Sequence, residues 1–346
     1  MGSPAQRVAE ESRWLVDDVH AWPGPRRPPR ARRVILREVP RGFTTRFAPA
    51  PTGHLHLGHI VNAVWVWGLA RAYDGRVILR IEDHDRGRCR PEFEQSILED
   101  LEWLGLDADI APISAFRAGR LPQRQSDNGA RYEAALAELS SRGLAYACTC
   151  SRSEIERAWA DTWAREQPGI PLLEGVEARY TGTCRHRQVP ADATPARRVI
   201  MDAEDPVVFE DLRNGRAVQD PQRQCGDLLV RDRHGNFTYQ FCVTVDDFDQ
   251  GVNLVIRGED LLESTGRQIL LSRLLGRERA PEFLHHRLVR HPDGRKLSKS
   301  AGDTGVRELR AFGASPAAVL GRAAHLGGLP HDGSPIAADT LHRLFR

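Results

Sequence analysis

The chain has 346 residues, of which 40% are hydrophobic and 28% are charged. This composition is typical of a globular protein and excludes a disordered or fibrous chain. No apolar run approaches the roughly 18 residues that a membrane-spanning helix needs, and the length corresponds to about two domains. Because 49 basic residues nearly balance 47 acidic ones, the overall charge does not indicate binding to nucleic acid. The N-terminus shows no apolar signal segment, so we expect a soluble, cytoplasmic protein.

The first 43 residues have the composition of an extension. Seven arginines and one acidic residue, Glu38, lie between Arg26 and Arg41 in a proline-rich setting. A basic arm of this kind is typically solvated, and contact with RNA is the alternative interpretation.

The next elements predict a doubly wound α/β sheet. A turn cluster at Pro49–Gly53 precedes a predicted helix over 57–73, a buried strand over 77–81 and a helix over 91–104. Strands alternating with helices in this way favour a parallel sheet.

The middle of the chain differs in character. After a predicted helix over 131–142, the stretch to about residue 220 holds cysteines, many prolines and few periodic runs, so we interpret it as an inserted subdomain. The α/β pattern then returns. Its predicted elements are strands over 228–230, 238–245 and 252–256 and helices over 261–275, 306–312 and 317–326.

Lysine is almost absent from the chain. Lys296 and Lys299 are its two lysines, and both lie in the sequence Lys-Leu-Ser-Lys-Ser that ends at Ser300. A lysine ammonium is a compact charge on a flexible stem, which suits it to follow a phosphate that moves during a reaction. We therefore expect phosphate chemistry here, with a solvated loop as the alternative.

A second phosphate-binding element is predicted at His56, Gly58 and His59, where the turn cluster becomes a helix. A helix N-terminus offers backbone N–H groups and the positive end of a dipole, and imidazoles there can donate hydrogen bonds to phosphate. Gly58 leaves room for a ligand against the backbone. Surface histidines near a turn are the alternative reading of the motif taken alone.

Three of the six cysteines have the spacing of metal ligands. They are Cys148, Cys150 and Cys184. In a chain without a secretion signal thiols stay reduced, so a metal site is favoured over disulfides. Three thiolates and one further ligand form a closed, structural zinc site, and spacing alone indicates His186 as the fourth ligand. Three cysteines without a metal are the alternative.

Taken in order, these motifs resemble those of class I aminoacyl-tRNA synthetases, in their glutamyl branch. The stretches that carry the resemblance are Arg46–His59, Leu79–Asp83, Val255–Asp260 and Lys296–Ser300. The resemblance implies a Rossmann-like doubly wound parallel sheet with an inserted zinc-binding subdomain and a short helical tail. It also implies ATP with Mg²⁺, structural Zn²⁺ and an aminoacyl-adenylate. The implied division is an extension (1–43), a first catalytic half (44–115), an inserted acceptor and zinc-binding subdomain (116–225), a second catalytic half (226–300) and a short stem (301–346).

The resemblance further implies residue roles. Arg46 and Arg257 would bind the carboxylates of glutamate, Glu82 would face its ammonium, and Tyr239 would add a hydroxyl. The residues implied for catalysis are His56, His59 and Lys299, and these three would bind ATP together with Gly58, Lys296 and Ser298. Ala48 and Ala50 would also contact glutamate. The implied zinc ligands are Cys148, Cys150, Tyr180 and Cys184. Tyr180 thus competes with His186 as the fourth ligand. Ala50 departs from the serine usual in this family, which removes a hydroxyl donor worth about 1 kcal/mol.

The 46 residues from 301 to 346 are too few for the helical anticodon-reading module of longer glutamyl members. The resemblance therefore implies a short, monomeric member, not bound to membranes, that transfers L-glutamate to queuosine in the anticodon loop of tRNA(Asp). One alternative is an amino-acid-activating ligase acting on a small molecule, a carrier protein or another tRNA, which Ala50 and the basic extension favour. The other is an RNA-binding protein without catalysis, which the intact histidine and lysine motifs disfavour.

Overall fold

A computed structural model describes residues 36–173, 175–289 and 305–346 of the chain. The strands in these ranges are β1 (Thr44–Phe47), β2 (Arg76–Leu79), β3 (Ala145–Ala147), β4 (Arg197–Val199), β5 (Val207–Asp211), β6 (Gly215–Gln219), β7 (Leu228–Arg231), β8 (Leu254–Gly258) and β9 (Glu282–His286). The helices are α1 (Leu57–Ala72), α2 (Pro91–Leu104), α3 (Ile113–Ala118), α4 (Gly129–Ser141), α5 (Arg152–Glu166), α6 (Thr183–Arg187), α7 (Pro221–Gln224), α8 (Tyr239–Asp249), α9 (Thr265–Leu274), α10 (Val306–Ala311) and α11 (Pro316–Leu326). None of these helices is long and apolar enough to cross a membrane.

The largest sheet has the strand order β6-β5-β9-β8, and β1 and β2 form a parallel pair beside it. The two are joined at Thr44, which donates from its backbone to Asn253 Oδ1 at 2.7 Å and accepts the Asn253 N–H at 3.0 Å. The α/β architecture is therefore confirmed, but the sheet is mixed instead of wholly parallel. Hairpin β5–β6 is antiparallel, because a three-residue connection, 212–214, is too short for a parallel crossover.

Helix α1 is part of the main hydrophobic core. It is apolar on all faces and almost wholly buried, as expected of a helix enclosed by other elements. A Cβ on Gly68 would lie 2.2 Å from the Phe345 ring, so glycine at this position allows the C-terminal turn Ala338–Phe345 to pack directly on the helix.

A smaller antiparallel sheet, β3-β4-β7, supports the cysteine-containing region. Strands β5 and β6 come from within the stretch interpreted as an insertion, yet β5 pairs with β9 of the large sheet.

Two predictions are wrong. The stretch 238–245 is helix α8 and not a strand, because a short apolar run fits a buried strand and a buried helix equally well. The interval after Cys150 is not irregular, since it contains α5, which begins with a capping box between Ser151 and Glu154. Only Trp159 of α5 is buried, so the helix lacks the apolar stripe by which a sequence reveals one. The predicted helix over 261–275 begins as a 3₁₀ turn, Glu259–Ser264, before α9.

Candidate functional site

A cluster of buried charges lies where β1, β2 and α8 meet. Asp247, at the end of α8, accepts at Oδ1 from Arg46 Nε (3.1 Å) and from Arg80 Nη1 (2.8 Å). Burial alone would raise the pKa of Asp247, but the two guanidinium groups hold it below the ordinary value of 3.8. Arg80 also donates from Nη2 to Glu82 Oε1 at 3.2 Å. Asp247 therefore fixes Arg46, and Arg80 fixes Glu82.

The phenol of Tyr239 is influenced by these charges. Burial raises the pKa of its phenol, Glu82 adds to the shift, and Arg257 and Arg46 oppose it. All three charges thus act on the same hydroxyl. The resemblance implied Arg46, Glu82, Tyr239 and Arg257 as one group, and the structure places Tyr239 within electrostatic reach of the other three.

Arg257, on β8, has hydrogen-bond partners from three elements. Its Nε donates to His285 Nε2 (2.9 Å), and its Nη1 donates to Gln268 Oε1 (2.6 Å). Its Nη2 donates to Thr265 Oγ1 (2.8 Å) and to the Leu261 carbonyl (3.3 Å). These acceptors are all neutral, and among the described residues no carboxylate forms an ion pair with this buried cation. Because a buried guanidinium without an anion is costly, the site is suited to receive an anionic ligand.

The two predicted alanines lie beside this cluster. Ala48 and Ala50 are half-buried in the loop after β1. The carbonyl of Pro49, between them, accepts the Glu82 N–H at 3.1 Å, so the loop is held against the acidic residue.

The two predicted histidines cap α1. His56 Nδ1 accepts the Gly58 N–H at 3.1 Å, and His59 Nδ1 accepts the His56 N–H at 3.1 Å. An accepting Nδ1 is unprotonated, so each neutral ring carries its hydrogen on Nε2. A Cβ at Gly58 would lie 2.9 Å from His56 Cε1, which explains the glycine. The N-terminus of α1 thus carries two imidazole N–H donors, and hydrogen bonds to the backbone hold both rings in place.

Lys296, Ser298 and Lys299 lie outside the described residues. The described part of the chain begins again at Gly305, which forms a β-bridge with His56. The Val306 N–H donates to the Leu55 carbonyl at 2.9 Å. Residue 305 therefore lies against the histidine motif.

The three predicted cysteine ligands lie together around Tyr180. Their Sγ atoms are within 4.8 Å of one another, and the Tyr180 hydroxyl is 3.6 Å from Cys148 Sγ and 3.8 Å from Cys150 Sγ. A tetrahedral zinc with sulfur ligands at about 2.3 Å requires separations of about 3.5–3.8 Å between ligand atoms. The donor set therefore fits zinc. His186 is exposed and is not part of this group, so the geometry favours Tyr180 as the fourth ligand.

The thiols of this group titrate differently. Burial raises the pKa of Cys150 to about 12. At Cys184 burial acts in the same direction, but hydrogen bonds from Thr149 outweigh it and lower the pKa to about 6. A metal binds the thiolate form of cysteine, and Cys184 is in that form at neutral pH.

Sequence reasoning missed Asp247, Arg80 and His285. One available signal was Arg80, a charged residue inside a predicted buried strand. Another was the pair Asp246-Asp247 at the end of an apolar run. Buried charges in such places are paired or functional.

Residues 43–339 match the family described as tRNA synthetases class I (E and Q), catalytic domain. The chain belongs to this family. It is 40% identical over 304 residues to a glutamyl-Q tRNA(Asp) synthetase of Symbiobacterium thermophilum, covering 87% of this chain and 91% of that protein. It is 38% identical over 303 residues to glutamate–tRNA ligase 1 of Acidithiobacillus ferrooxidans, covering 87% of this chain but 60% of the relative's length.

A solved glutamate–tRNA synthetase of Elizabethkingia anophelis has a TM-score of 0.70 to this chain at 27% identity. The match covers 88% of this chain and 65% of that structure. The expected class I synthetase architecture is thereby confirmed.

Proposed function

We propose that the protein activates L-glutamate with ATP and transfers the glutamyl group to queuosine in the anticodon loop of tRNA(Asp). The observation that carries the first half of this proposal is Arg257, a buried cation whose described partners are all neutral. With Arg46 it provides two guanidinium groups for two carboxylates, and Glu82 provides an anion for the ammonium.

In the first step the α-carboxylate of glutamate attacks the α-phosphorus of ATP and pyrophosphate leaves. Reactions of this kind need positioning and cations more than covalent help from the protein. We assign positioning of glutamate to Arg46, Arg257, Glu82 and Tyr239. We assign donation to the phosphates to His56, His59, Lys296 and Lys299, and a further role in binding ATP to Gly58 and Ser298, with Mg²⁺ accompanying ATP. In the second step a hydroxyl of the acceptor attacks the adenylate carbonyl and releases AMP.

The choice of acceptor is supported by the relatives. The chain aligns with 91% of the glutamyl-Q tRNA(Asp) synthetase of S. thermophilum, but with 60% of the glutamate–tRNA ligase of A. ferrooxidans. We extend the proposal to a monomer in the cytoplasm, in which the catalytic halves 44–115 and 226–300 flank a zinc-binding subdomain, 116–225.

In this proposal Cys148, Cys150, Tyr180 and Cys184 hold a structural zinc. The metal would stiffen a region whose own hydrophobic cluster is small. His186 is the alternative fourth ligand.

A second candidate function is adenylation of an amino acid for another acceptor. Ala50, half-buried in the loop that contacts Glu82, favours it, because the alanine lacks the hydroxyl usual in this family. The two functions share the first step and differ in the second.

Pyrophosphate exchange tests the shared step. We expect the full chain, with total tRNA present, to exchange pyrophosphate into ATP in the presence of glutamate, and not with glutamine or aspartate. Lys299→Ala should slow exchange at least about a hundredfold without changing the melting temperature. Lys299→Arg should also be slow, since the wider guanidinium does not replace a compact ammonium. An unchanged exchange rate in Lys299→Ala would remove Lys299 from the mechanism.

A further inference from the structure

We propose that His285 is a specificity-determining positioning residue: it holds Arg257 through a neutral acceptor and keeps the negative charge of Asp211 away from it, so that Arg257 remains available for an anionic substrate. The proposal rests on the proposed function, because it concerns the amino-acid site of that reaction. In this proposal, His285 and Asp211 contribute to specificity for glutamate.

The three residues form a chain across adjacent strands. Asp211 ends β5, His285 lies on the neighbouring β9, and Arg257 lies on β8, directly opposite His285 in the parallel register. His285 Nδ1 is 2.7 Å from Asp211 Oδ2, and His285 Nε2 accepts from Arg257 Nε at 2.9 Å. Asp211 and His285 are both fully buried. Strand pairing therefore sets these distances.

The hydrogen bonds fix the protonation state of the imidazole. Arg257 has only donors, so His285 Nε2 must be the unprotonated nitrogen, and Nδ1 carries the hydrogen that it donates to Asp211. Burial lowers the pKa of His285, in agreement with a neutral ring. Asp211 Oδ2 also accepts the His285 backbone N–H at 3.0 Å, which holds the carboxylate on the Nδ1 side of the ring.

A comparison with other buried arginines shows why this arrangement matters. Arg46 and Arg80 are paired directly with Asp247, and Arg267 is paired with both oxygens of Glu177 at 2.9 Å. At Arg257 a neutral imidazole stands where those arginines have a carboxylate. A directly bonded anion weakens the attraction of a guanidinium for a substrate carboxylate, so Arg257 is the stronger anion site of the two arginines assigned to glutamate. The imidazole orients Arg257 without neutralising it.

The orientation of the guanidinium is also restricted. Of its five N–H groups, described residues accept four, through His285, Gln268, Thr265 and Leu261. The fifth is on Nη1. Loss of the Nε acceptor would allow the side chain to rotate, which would move Nη1 away from the position that the bound substrate requires.

Three variants of one position test the proposal. His285→Gln retains an acceptor at a similar distance from the backbone, His285→Leu has a similar volume without an acceptor, and His285→Glu adds a negative charge to the Gln variant. The measurements are the KM for glutamate and the KM for ATP in pyrophosphate exchange at pH 8, with total tRNA present. Melting temperatures report whether each variant folds.

We expect the Gln variant to keep its glutamate KM within about threefold of wild type. The Leu and Glu variants should each raise it at least about tenfold, as expected for the loss of a hydrogen bond to a charged group or the neutralisation of that group. The KM for ATP should change little in all three variants, whereas a general disturbance of the fold would change both KM values. His286→Leu is the matched control, since this neighbouring buried imidazole faces Asn62 Nδ2 at 3.1 Å instead of Arg257.

Equal glutamate KM values in the Gln and Leu variants would overturn the role of the acceptor. Equal values in the Gln and Glu variants would overturn the role of neutrality. Both of these results overturn this inference alone. A wild-type chain that shows no exchange with glutamate would instead overturn the proposed function and this inference together, so the two failures are distinguishable.

Discussion

Replacing Asp247 by asparagine tests the buried charge cluster that holds Arg46. Both arginines donate to the same atom, Asp247 Oδ1, and the side chains of Arg46 and Arg80 are only 5% and 0% exposed. An asparagine retains this acceptor and the shape of the side chain, but removes the anion that the two cations share. Removing one member of a buried ion pair costs about 3–5 kcal/mol. Because Glu82 remains beside Arg80, we expect the lower end, about 3 kcal/mol.

The assay is urea unfolding at neutral pH, with Asp249→Asn as the matched control two residues away on α8. Asp249 is paired with Arg131 at 2.6 Å, but their side chains are 36% and 42% exposed, so this variant should lose less than about 1 kcal/mol. The native pKa of Asp247 lies below its ordinary value of 3.8. The stability it contributes is therefore present at neutral pH and is lost as the pH falls below that value. Equal losses in the two variants would refute the account of this cluster.

Three further predictions concern the zinc region and the pH dependence of stability. Gly226→Ala should destabilise the fold by at least about 3 kcal/mol, because its Cβ would lie 1.9 Å from the Tyr180 carbonyl oxygen. The control Gly251→Ala, with almost the same φ but nothing within 4 Å, should cost only about 1–2 kcal/mol, and equal costs would contradict this prediction. Elemental analysis should find one zinc per chain, lost in Cys150→Ser but retained in Cys89→Ser, which lies outside the cluster; zinc retained by both would refute the ligand assignment. Burial raises the pKa of Asp100 to about 7, above its unfolded value, so wild type loses stability as the pH rises from about 4 to about 7. Asp100→Asn should therefore have a higher melting temperature than wild type at pH 8 but not at pH 4, and an equal difference at both pH values would contradict the shift.

The sequence revealed elements whose signals are local. Helix α2 was predicted with its observed bounds, 91–104, since proline opens it and Gly105, at a φ of 72°, ends it. The histidine and lysine motifs and the pair Cys148 and Cys150 were found because their residues are close in sequence. Tyr180, in contrast, was found through the family resemblance, since spacing alone favoured His186.

What the sequence did not reveal depends on contacts between distant segments. Asp247 is separated from Arg46 by 201 positions, and His285 from Asp211 by 74, so no window of sequence contains either pair. Helix α8 was mistaken for a strand because its identity depends on burial against other elements, which overrides local preference.

Transfer of labelled glutamate to tRNA tests the central claim most directly. Two tRNA pools that differ in whether they contain queuosine would be incubated with the full chain and ATP. The account predicts that label enters only the pool with queuosine and that Lys299→Ala abolishes it. Absence of label from both pools, in a preparation that still exchanges pyrophosphate with glutamate, would contradict the claim and support a different acceptor.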